Sequence, residues 1–201
     1  YRGNNMQIDY YYTLMSPWAY FGAPRFYELQ TKYSFDIKHL PLDIMKLFPL
    51  SGGEPLGKRA DQRKAYRMME LKRWHKKLNM PINYTPKYFP PSDVSRASCM
   101  ILSLTDPEKQ NTLSFCLLKY VWVKEKDIGD ENNLREICNN LDLDFAKLIK
   151  KSNEKIEFYN SLAEKAAKIN VFGSPTYVIE GEIFWGQDRL DLLEEYIQEN
   201  L

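Results

Sequence analysis

The chain has 201 residues, 44% of them hydrophobic, which is enough to bury a sizeable core as one domain with a large insertion or as two small subdomains. Its 28 basic side chains oppose 27 acidic ones, and the formal charge of +1 gives no global field that favours nucleic acid or a membrane. No apolar run is long enough to span a membrane and the first residues lack the features of a secretory signal, so we expect a cytoplasmic protein.

The first predicted elements are a strand and a helix that meet at Ser16. Residues Ile8 to Leu14 are rich in the aromatic and β-branched side chains that strands prefer. Pro17 suits the first turn of a helix, and Ser16 suits its N-cap. This arrangement directs a hydroxyl and free backbone N–H groups to one point, where a helix N-terminus stabilises an anion such as a phosphate, a carboxylate or a thiolate.

A second strand and a loop precede a long helix. The alternation over Phe35 to Leu42 predicts a strand parallel to the first and joined to it by a right-handed connection. The turn formers from Pro49 to Pro55 predict a mobile loop. From Lys58 to Leu78 there is no proline or glycine and apolar residues recur at helical spacing, so we expect a helix there.

The helix predicted from Lys58 is strongly basic. Nine lysines and arginines along it oppose only Asp61 and Glu70. A solvated face explains most of these charges. One or two of them facing a cleft would attract and hold an anionic ligand.

The middle of the chain is predicted to be helical. Four further helices are expected, over residues 93–104, 108–126, 131–141 and 144–169. Cys99, Cys116 and Cys138 are an odd number without a Cys-x-x-Cys pair, so we expect buried free thiols in a reducing compartment rather than a disulfide. His39 and His75 have no partner spacing that indicates a metal site or a catalytic triad.

The end of the chain is predicted to form a β-hairpin and a helix. Strand character returns at Thr176 to Ile179, and Glu180-Gly181 predicts a tight turn to a second strand over Glu182 to Trp185. An amphipathic helix is expected from Asp188 to Tyr196. Asp188 suits the N-cap of that helix, and Arg189 suits a surface ion pair.

Five stretches of the chain resemble the 2-hydroxychromene-2-carboxylate isomerases and the kappa-class glutathione transferases. They are residues 11–20, 63–66, 86–90, 171–175 and 184–190. These families share a thioredoxin fold with an inserted helical domain, like the disulfide oxidoreductase DsbA. The resemblance implies an α/β, DsbA-like fold in which residues 1–46 and 170–201 form the thioredoxin-like domain and residues 47–169 form an inserted all-helical domain.

The resemblance also implies a glutathione site built from the two ends of the chain. In the family, the serine that corresponds to Ser16 holds the sulfur of glutathione. The residue before the cis-proline, here Ser174 before Pro175, pairs with the backbone of this extended peptide. Gln187 and Asp188 belong to the turn that receives the γ-glutamyl end, whose ammonium suits a carboxylate.

Further ligand contacts are implied in the middle of the chain. Arg63 aligns with a lysine that contacts ligand in the family. Several aromatic residues are expected near Ser16, about half of them as pocket wall and half as core: Trp18, Tyr20, Tyr66, Tyr88, Phe89 and Trp185. The family's Gly-Asn-x-Pro loop is here Gly52-Gly53-Glu54-Pro55, so the polar contact that the asparagine gives is missing.

The implied function is a glutathione-dependent isomerase that acts on a small aromatic carboxylate, in a possible homodimer. The thiolate held at Ser16 would add to a 2-hydroxychromene-2-carboxylate, and ring opening, bond rotation and expulsion of sulfur would give the trans-hydroxybenzylidenepyruvate. The alternatives are a kappa-like transferase that leaves glutathione on an electrophile, and a noncatalytic thioredoxin-fold module that binds peptides. A DsbA-type oxidoreductase is disfavoured because Ser16 and Ala19 occupy the positions of both its cysteines.

Overall fold

The computed structural model describes residues 6–200, so the outermost residues of the predicted thioredoxin-like domain, 1–5 and 201, lie outside the described part. The strands are β1 (Gln7–Tyr12), β2 (Asp36–Pro41), β3 (Thr176–Ile179) and β4 (Glu182–Trp185). The α-helices are α1 (Pro17–Tyr33), α2 (Ile44–Ser51), α3 (Asp61–Leu78), α4 (Ser95–Leu102), α5 (Pro107–Trp122), α6 (Glu131–Asn140), α7 (Phe145–Asn153), α8 (Ile156–Lys168) and α9 (Leu190–Asn200). Single 3-10 turns lie at Leu56–Lys58 and Gln187–Arg189.

The four strands form one sheet in the order β2-β1-β3-β4. As predicted, β1 and β2 are parallel and β3 and β4 form an antiparallel hairpin. The structure adds that β3 pairs antiparallel with β1. The register places Tyr10 between His39 and Tyr177. The predicted hairpin turn is confirmed, with Glu180 and Gly181 both at positive φ. Because β1 and β3 are neighbours, the start of α1 lies beside the loop that leads into β3.

The two faces of the sheet bury different sets of side chains. Along β1, Tyr10 and Tyr12 belong to one buried cluster and Tyr11 to another, as the alternation of a strand requires. The first cluster joins the sheet to α1, α5 and α9, and the second joins it to α2 and α8. Full burial of one such side chain stabilises the fold by about 1.5–3 kcal/mol. The sheet is therefore fixed from both faces, and the loops at its edge rest on a rigid base.

The order of elements agrees with the predicted one: two parallel strands, a run of helices, a hairpin and a closing helix. The division of the chain at residues 47 and 170 stays a prediction. Within residues 6–200, none of the helices is both long enough and apolar enough to cross a membrane.

The loop predicted over residues 49–55 is wrong in its first part, which belongs to α2. Asp43 caps this helix by accepting from the Met45 N–H at 3.0 Å, and Leu47 is fully buried. The cap and the burial outweigh the cost of Pro49, and the helix continues until Gly52 ends it at φ 75°.

The single helix predicted over residues 144–169 is also wrong, because the chain forms α7 and α8 there. Neither glycine nor proline marks the break, which falls at Glu154 and Lys155. The two helices share α4 as a partner but otherwise pack differently: α7 contacts α6, whereas α8 contacts α2 and β2. One straight helix would not bury both apolar faces, so tertiary packing sets this boundary.

Candidate functional site

The start of α1 presents a hydroxyl and an unpaired backbone N–H. Ser16 is an extended N-cap residue whose Oγ accepts from the Ala19 N–H at 3.0 Å. Pro17 has no N–H, and no described residue accepts from the N–H of Trp18. Ser16 is buried, with 6% of its surface exposed. Its hydroxyl and the Trp18 N–H are therefore available to an anion at a helix N-terminus with little competition from water.

The loop before β3 brings Ser174 against this helix start. The Ser16 hydroxyl donates to the Ser174 carbonyl at 3.3 Å, and the Thr13 N–H donates to Ser174 Oγ at 2.9 Å. The bond from Ser174 to Pro175 is cis, as expected. No described residue accepts from the Ser174 N–H, so this donor and one lone pair of its carbonyl remain for an extended peptide.

A cavity of about 660 Å³ opens beside Ser16. Its walls are the start of α1, the segment from α2 to the first turns of α3, and the loop before β3. Trp18, Arg63 and Ser174, three of the predicted ligand residues, line it with Ser16. The volume is within the range of roughly 300–1,000 Å³ that is typical of small-molecule sites.

The wall from α2 to α3 is positively charged. Arg59, Arg63, Lys64 and Arg67 line the cavity, together with one carboxylate, that of Glu54. The Arg63 guanidinium lies 3.9 Å from that carboxylate, and both side chains are exposed. The sequence predicted that one or two basic side chains of the long helix would face the cleft. The structure places four residues of that predicted segment there: Arg63, Lys64 and Arg67 on α3, and Arg59, which precedes α3 because the helix begins at Asp61 and not at Lys58.

Arg59 and Arg67 are functional candidates that the sequence analysis did not single out. Both are half-buried, and burial lowers the pKa of each guanidinium. Repulsion by Arg59 lowers the pKa of Arg67 further. The helical spacing of Arg63 and Arg67, four residues apart, was the available signal, since it places them on one face of a helix.

The rim of the cavity is aromatic. Phe89 and Trp185 line it as expected, and so does Phe172, which was not predicted. The rings of Phe172 and Trp185 lie 4.8 Å apart, and Trp185 is 52% exposed. The Trp185 indole covers Gly173 so closely that a Cβ on that glycine would overlap it.

Three of the aromatic residues predicted near Ser16 do not line the cavity. Tyr20 is buried in the core, where its hydroxyl donates to the Pro81 carbonyl at 2.6 Å. Tyr66 and Tyr88 are exposed. Three of the six aromatic residues predicted near Ser16 thus line the cavity, and three do not.

The Gln187-Asp188 turn lies outside the lining of the cavity. Gln187 is buried, and Arg25 donates to its backbone carbonyl at 3.1 Å and to its side-chain carbonyl. This close packing against α1 depends on Gly22, because a Cβ there would lie 2.7 Å from Gln187 Cβ. Asp188 forms an ion pair with Arg189 at 3.0 Å, so the predicted surface pair of Arg189 is present.

Gly53 stands where the family has an asparagine, and the ring of Phe48 takes up the space beside it. Gly53 is packed against the ring of Phe48, and a Cβ on Gly53 would overlap this ring. Phe48 itself lines the cavity and lies under the Arg59 guanidinium, 5.9 Å from ring centre to Cζ. An apolar ring and an arginine thus occupy this wall, which changes its chemistry from that of an amide.

The three cysteines lie away from the cavity. Cys99 and Cys138 are buried, Cys116 is partly buried, and all three are free thiols. Burial raises the pKa of Cys99 and of Cys138 to about 11 and raises that of Cys116. Among residues 6–200, no three metal-ligating side chains come together as a candidate metal site. Any reactive sulfur in the cavity must therefore come from a ligand.

The chain belongs to the family of DSBA-like thioredoxin domains, whose family model matches residues 7–198. The predicted fold class is thereby confirmed. The chain is 27% identical to the 2-hydroxychromene-2-carboxylate isomerase of Sphingobium xenophagum, over 94% of this chain and 97% of that protein. It is 21% identical to glutathione S-transferase kappa 1 of Caenorhabditis elegans, over 96% of this chain and 91% of that protein.

A solved structure of a 2-hydroxychromene-2-carboxylate isomerase has the same fold. The two structures superpose with a TM-score of 0.80 at 21% identity, over 96% of this chain and 95% of the other. The resemblance deduced from the sequence is confirmed by these matches. The roles of Ser16, Trp18, Arg63, Ser174, Pro175, Gln187 and Asp188 stay predictions, as do the cytoplasmic location and the homodimer.

Proposed function

We propose that the protein is a glutathione-dependent isomerase that acts on a 2-hydroxychromene-2-carboxylate or a close relative of it. The observation that carries this proposal is the pairing of Ser16 with Ser174 at a helix start that has no cysteine. The Ser16 hydroxyl and the Trp18 N–H would donate to a thiolate, and the Ser174 backbone would pair with an extended peptide. Glutathione supplies both in one molecule.

Stabilisation of the glutathione thiolate would be the first task of the site. A cysteine thiol has a pKa of about 8.5, and the positive potential at a helix N-terminus lowers such values. The Ser16 hydroxyl, whose bond to the Ser174 carbonyl is long at 3.3 Å, would turn to donate to the sulfur. Its Oγ would still accept from the Ala19 N–H, so the helix cap would be retained.

The chemical steps return the thiolate unchanged. Its electron pair forms a C–S bond to the conjugated substrate, the ring C–O bond opens, and the former double bond becomes a single bond that rotates. Expulsion of sulfur restores the double bond in the trans isomer, so glutathione acts as a regenerated cofactor. The basic wall of the cavity would hold the substrate carboxylate and the negative charge that develops on its oxygens.

Titration with glutathione tests the first step of the proposal, which is the binding of glutathione as a thiolate. We expect the absorbance of a thiolate to appear near neutral pH when glutathione binds, and S-methylglutathione, which has no thiol, to compete for the site without this signal. A crystal of the complex should place the sulfur within hydrogen-bond distance of Ser16 Oγ. Binding of unrelated extended peptides as tightly as glutathione would instead indicate a peptide-binding module.

A kappa-like transferase is the second candidate, favoured by the similarity to glutathione S-transferase kappa 1. A transferase would leave glutathione on the electrophile as a stable conjugate. Mass spectrometry of the products distinguishes the two reactions, since an isomerase returns free glutathione.

Replacement of Asp188 by asparagine is expected to weaken glutathione binding by about 3- to 10-fold, because the γ-glutamyl ammonium loses its carboxylate partner. The effect is modest since Asp188 is about half exposed and already paired with Arg189. It should appear in KM, with the rate restored at saturating glutathione. Asp191→Asn, which removes an exposed carboxylate from the same turn region, is the matched control. An Asp188→Asn protein with unchanged KM would remove this residue from the site.

Single replacement of Cys99, Cys116 or Cys138 by alanine is expected to leave turnover intact. The raised pKa values keep these thiols protonated, and a protonated thiol is a poor nucleophile. The measurement is isomerase activity beside reduction of insulin disulfides. Insulin reduction that depends on any one of the three cysteines would contradict the isomerase assignment and favour a redox enzyme.

A further inference from the structure

A second recess adjoins the cleft, with which it shares Leu56, Lys64, Arg67 and Phe89 as lining residues. It has a volume of about 330 Å³ and is lined by Met68, Tyr84, Phe89 and Trp122 among others. Lys64 and Arg67 line both the cleft and the recess, so the two spaces share a basic wall. The recess is bounded by α3, the segment before α4 and the end of α5.

The three arginines of the basic wall differ in their partners. Arg59 donates to the Glu54 backbone carbonyl at 2.9 Å and its charge is attracted by the Glu54 carboxylate, whereas nothing comparable neutralises Arg67 in the described part of the chain. Within residues 6–200, no ion pair includes Arg59 or Arg67, whereas Arg63 pairs with Glu54 and Lys64 with Asp61. A half-buried cation without a counter-ion is unfavourable unless a ligand supplies the negative charge. Arg59 and Arg67 are also close enough to repel each other. An anion bound between them would relieve that repulsion.

The recess itself suits an aromatic ring. The Phe89 and Trp122 rings lie 5.0 Å apart, and the Arg67 guanidinium lies 5.9 Å from the centre of the Trp122 ring. The buried indole Nε1–H of Trp122 has no hydrogen-bond partner among the described residues. Aromatic surface next to an unpaired guanidinium is the combination that recognises an aryl group with a carboxylate on a short arm.

We propose that the recess holds the ring of an aryl carboxylate substrate and that Arg67, assisted by Arg59, binds its carboxylate. Arg67 is then the residue that selects anionic over neutral substrates. This inference rests on the proposed function in that it takes an aryl carboxylate to be the substrate of the cleft. The alternative ligand of Arg67 is a carboxylate of glutathione. The experiment distinguishes this carboxylate from that of the substrate.

The test uses binding without turnover and without glutathione. The probes are trans-cinnamate and its neutral analogue cinnamyl alcohol, followed by calorimetry. We expect the wild-type protein to bind cinnamate at least 10-fold more tightly than the alcohol. Arg67→Met should weaken cinnamate by about 10-fold or more, since a hydrogen-bonded charge partner is lost, and should leave the alcohol unchanged. Arg67→Lys, which keeps the charge, should recover part of the affinity.

The matched control is Arg73→Met, on the same helix but exposed and paired with Glu70. It should bind both probes as the wild type does. Met68→Trp, which fills the recess, should weaken both probes and leave glutathione binding within threefold of wild type.

Three results would overturn the assignment. They are equal affinity of the wild type for the two probes, unchanged cinnamate binding in Arg67→Met, and a loss of glutathione binding rather than cinnamate binding in Arg67→Met. The first comparison needs no variant, so the inference stays testable if Arg67→Met fails to fold. The test measures binding only and not isomerisation. A protein that binds cinnamate through Arg67 but does not isomerise its substrate would therefore contradict the proposed reaction and not this substrate site.

Discussion

Replacement of Ser16 by alanine is expected to raise the pKa of bound glutathione by about one to two units. The loss of one hydrogen bond to a charged group is worth about 1.5–3 kcal/mol, and one pKa unit corresponds to about 1.4 kcal/mol. The helix N-terminus and the Trp18 N–H remain, so the shift is partial. A bound thiol that is half ionised at neutral pH in the wild type would then be about 10% to 1% ionised, so turnover should fall by about 5- to 50-fold. Thiolate absorbance titrated in both proteins measures the shift.

The same substitution also removes the cap of α1, because Ser16 Oγ accepts from the Ala19 N–H. Loss of such a cap costs about 0.5–2 kcal/mol of stability. Asp106→Ala is the matched control, since Asp106 caps α5 by accepting from Glu108 and Lys109 and is remote from the cavity. It should lower stability similarly without changing the pKa of glutathione. Superimposable titration curves for Ser16→Ala and the wild type would remove Ser16 from the mechanism.

The second large effect concerns stability at acidic pH and arises from His39. A buried chain of hydrogen bonds runs through it. The Ser114 hydroxyl donates to Tyr12, the Tyr12 hydroxyl to His39 Nδ1, and His39 Nε2 to Asn111. The Asn111 amide in turn donates to Gln30. In this direction every bond fits a neutral imidazole with its proton on Nε2. A second proton on Nδ1 would remove the acceptor of the Tyr12 hydroxyl, whose own proton would have to turn away and lose its partner.

Burial lowers the pKa of His39 to about 4. An unfolded histidine takes up its proton near pH 6.5, whereas the folded protein resists it until about pH 4, so the unfolded state binds more protons between these values. The free energy of unfolding therefore keeps its full value above about pH 6.5 and decreases as the pH falls towards 4, by about 3 kcal/mol in total. Denaturant unfolding at a series of pH values measures this slope.

His39→Gln should abolish most of that slope while lowering stability at pH 7. Ser114→Ala is the control, because it disturbs the same chain of hydrogen bonds but retains the histidine, and it should keep the slope. A wild-type protein as stable at pH 4.5 as at pH 7, or a His39→Gln protein with an undiminished slope, would contradict the assignment of a neutral buried imidazole.

Local signals in the sequence predicted much of the fold and the centre of the site. The Ser16-Pro17 helix start and the Glu180-Gly181 turn depend on the backbone preferences of one or two residues, and both are present. The break between α7 and α8 could not be predicted in this way, because tertiary packing sets it and no turn former marks it. The α2 helix runs through Pro49 for a similar reason.

The parts of the site that the sequence did not predict depend on contacts between distant residues. Arg25 holds Gln187 across 162 positions of the chain. The basic wall combines α3 with Arg59, which precedes that helix, and its unpaired charges emerge only when the positions of the acidic residues are known. Helical spacing alone places Arg67 on the face of Arg63, but it does not indicate that this face meets a cleft.

The proposed function is tested most directly by counting the substrate molecules that one glutathione molecule converts. A 2-hydroxychromene-2-carboxylate is mixed with enzyme and a small amount of glutathione, and the approach to equilibrium is followed by absorbance, with S-methylglutathione as the control. We expect that many equivalents of substrate are converted per glutathione and that all free thiol is recovered at the end. Conversion that proceeds equally without glutathione, or that stops after one equivalent with the thiol consumed, would contradict the proposed function.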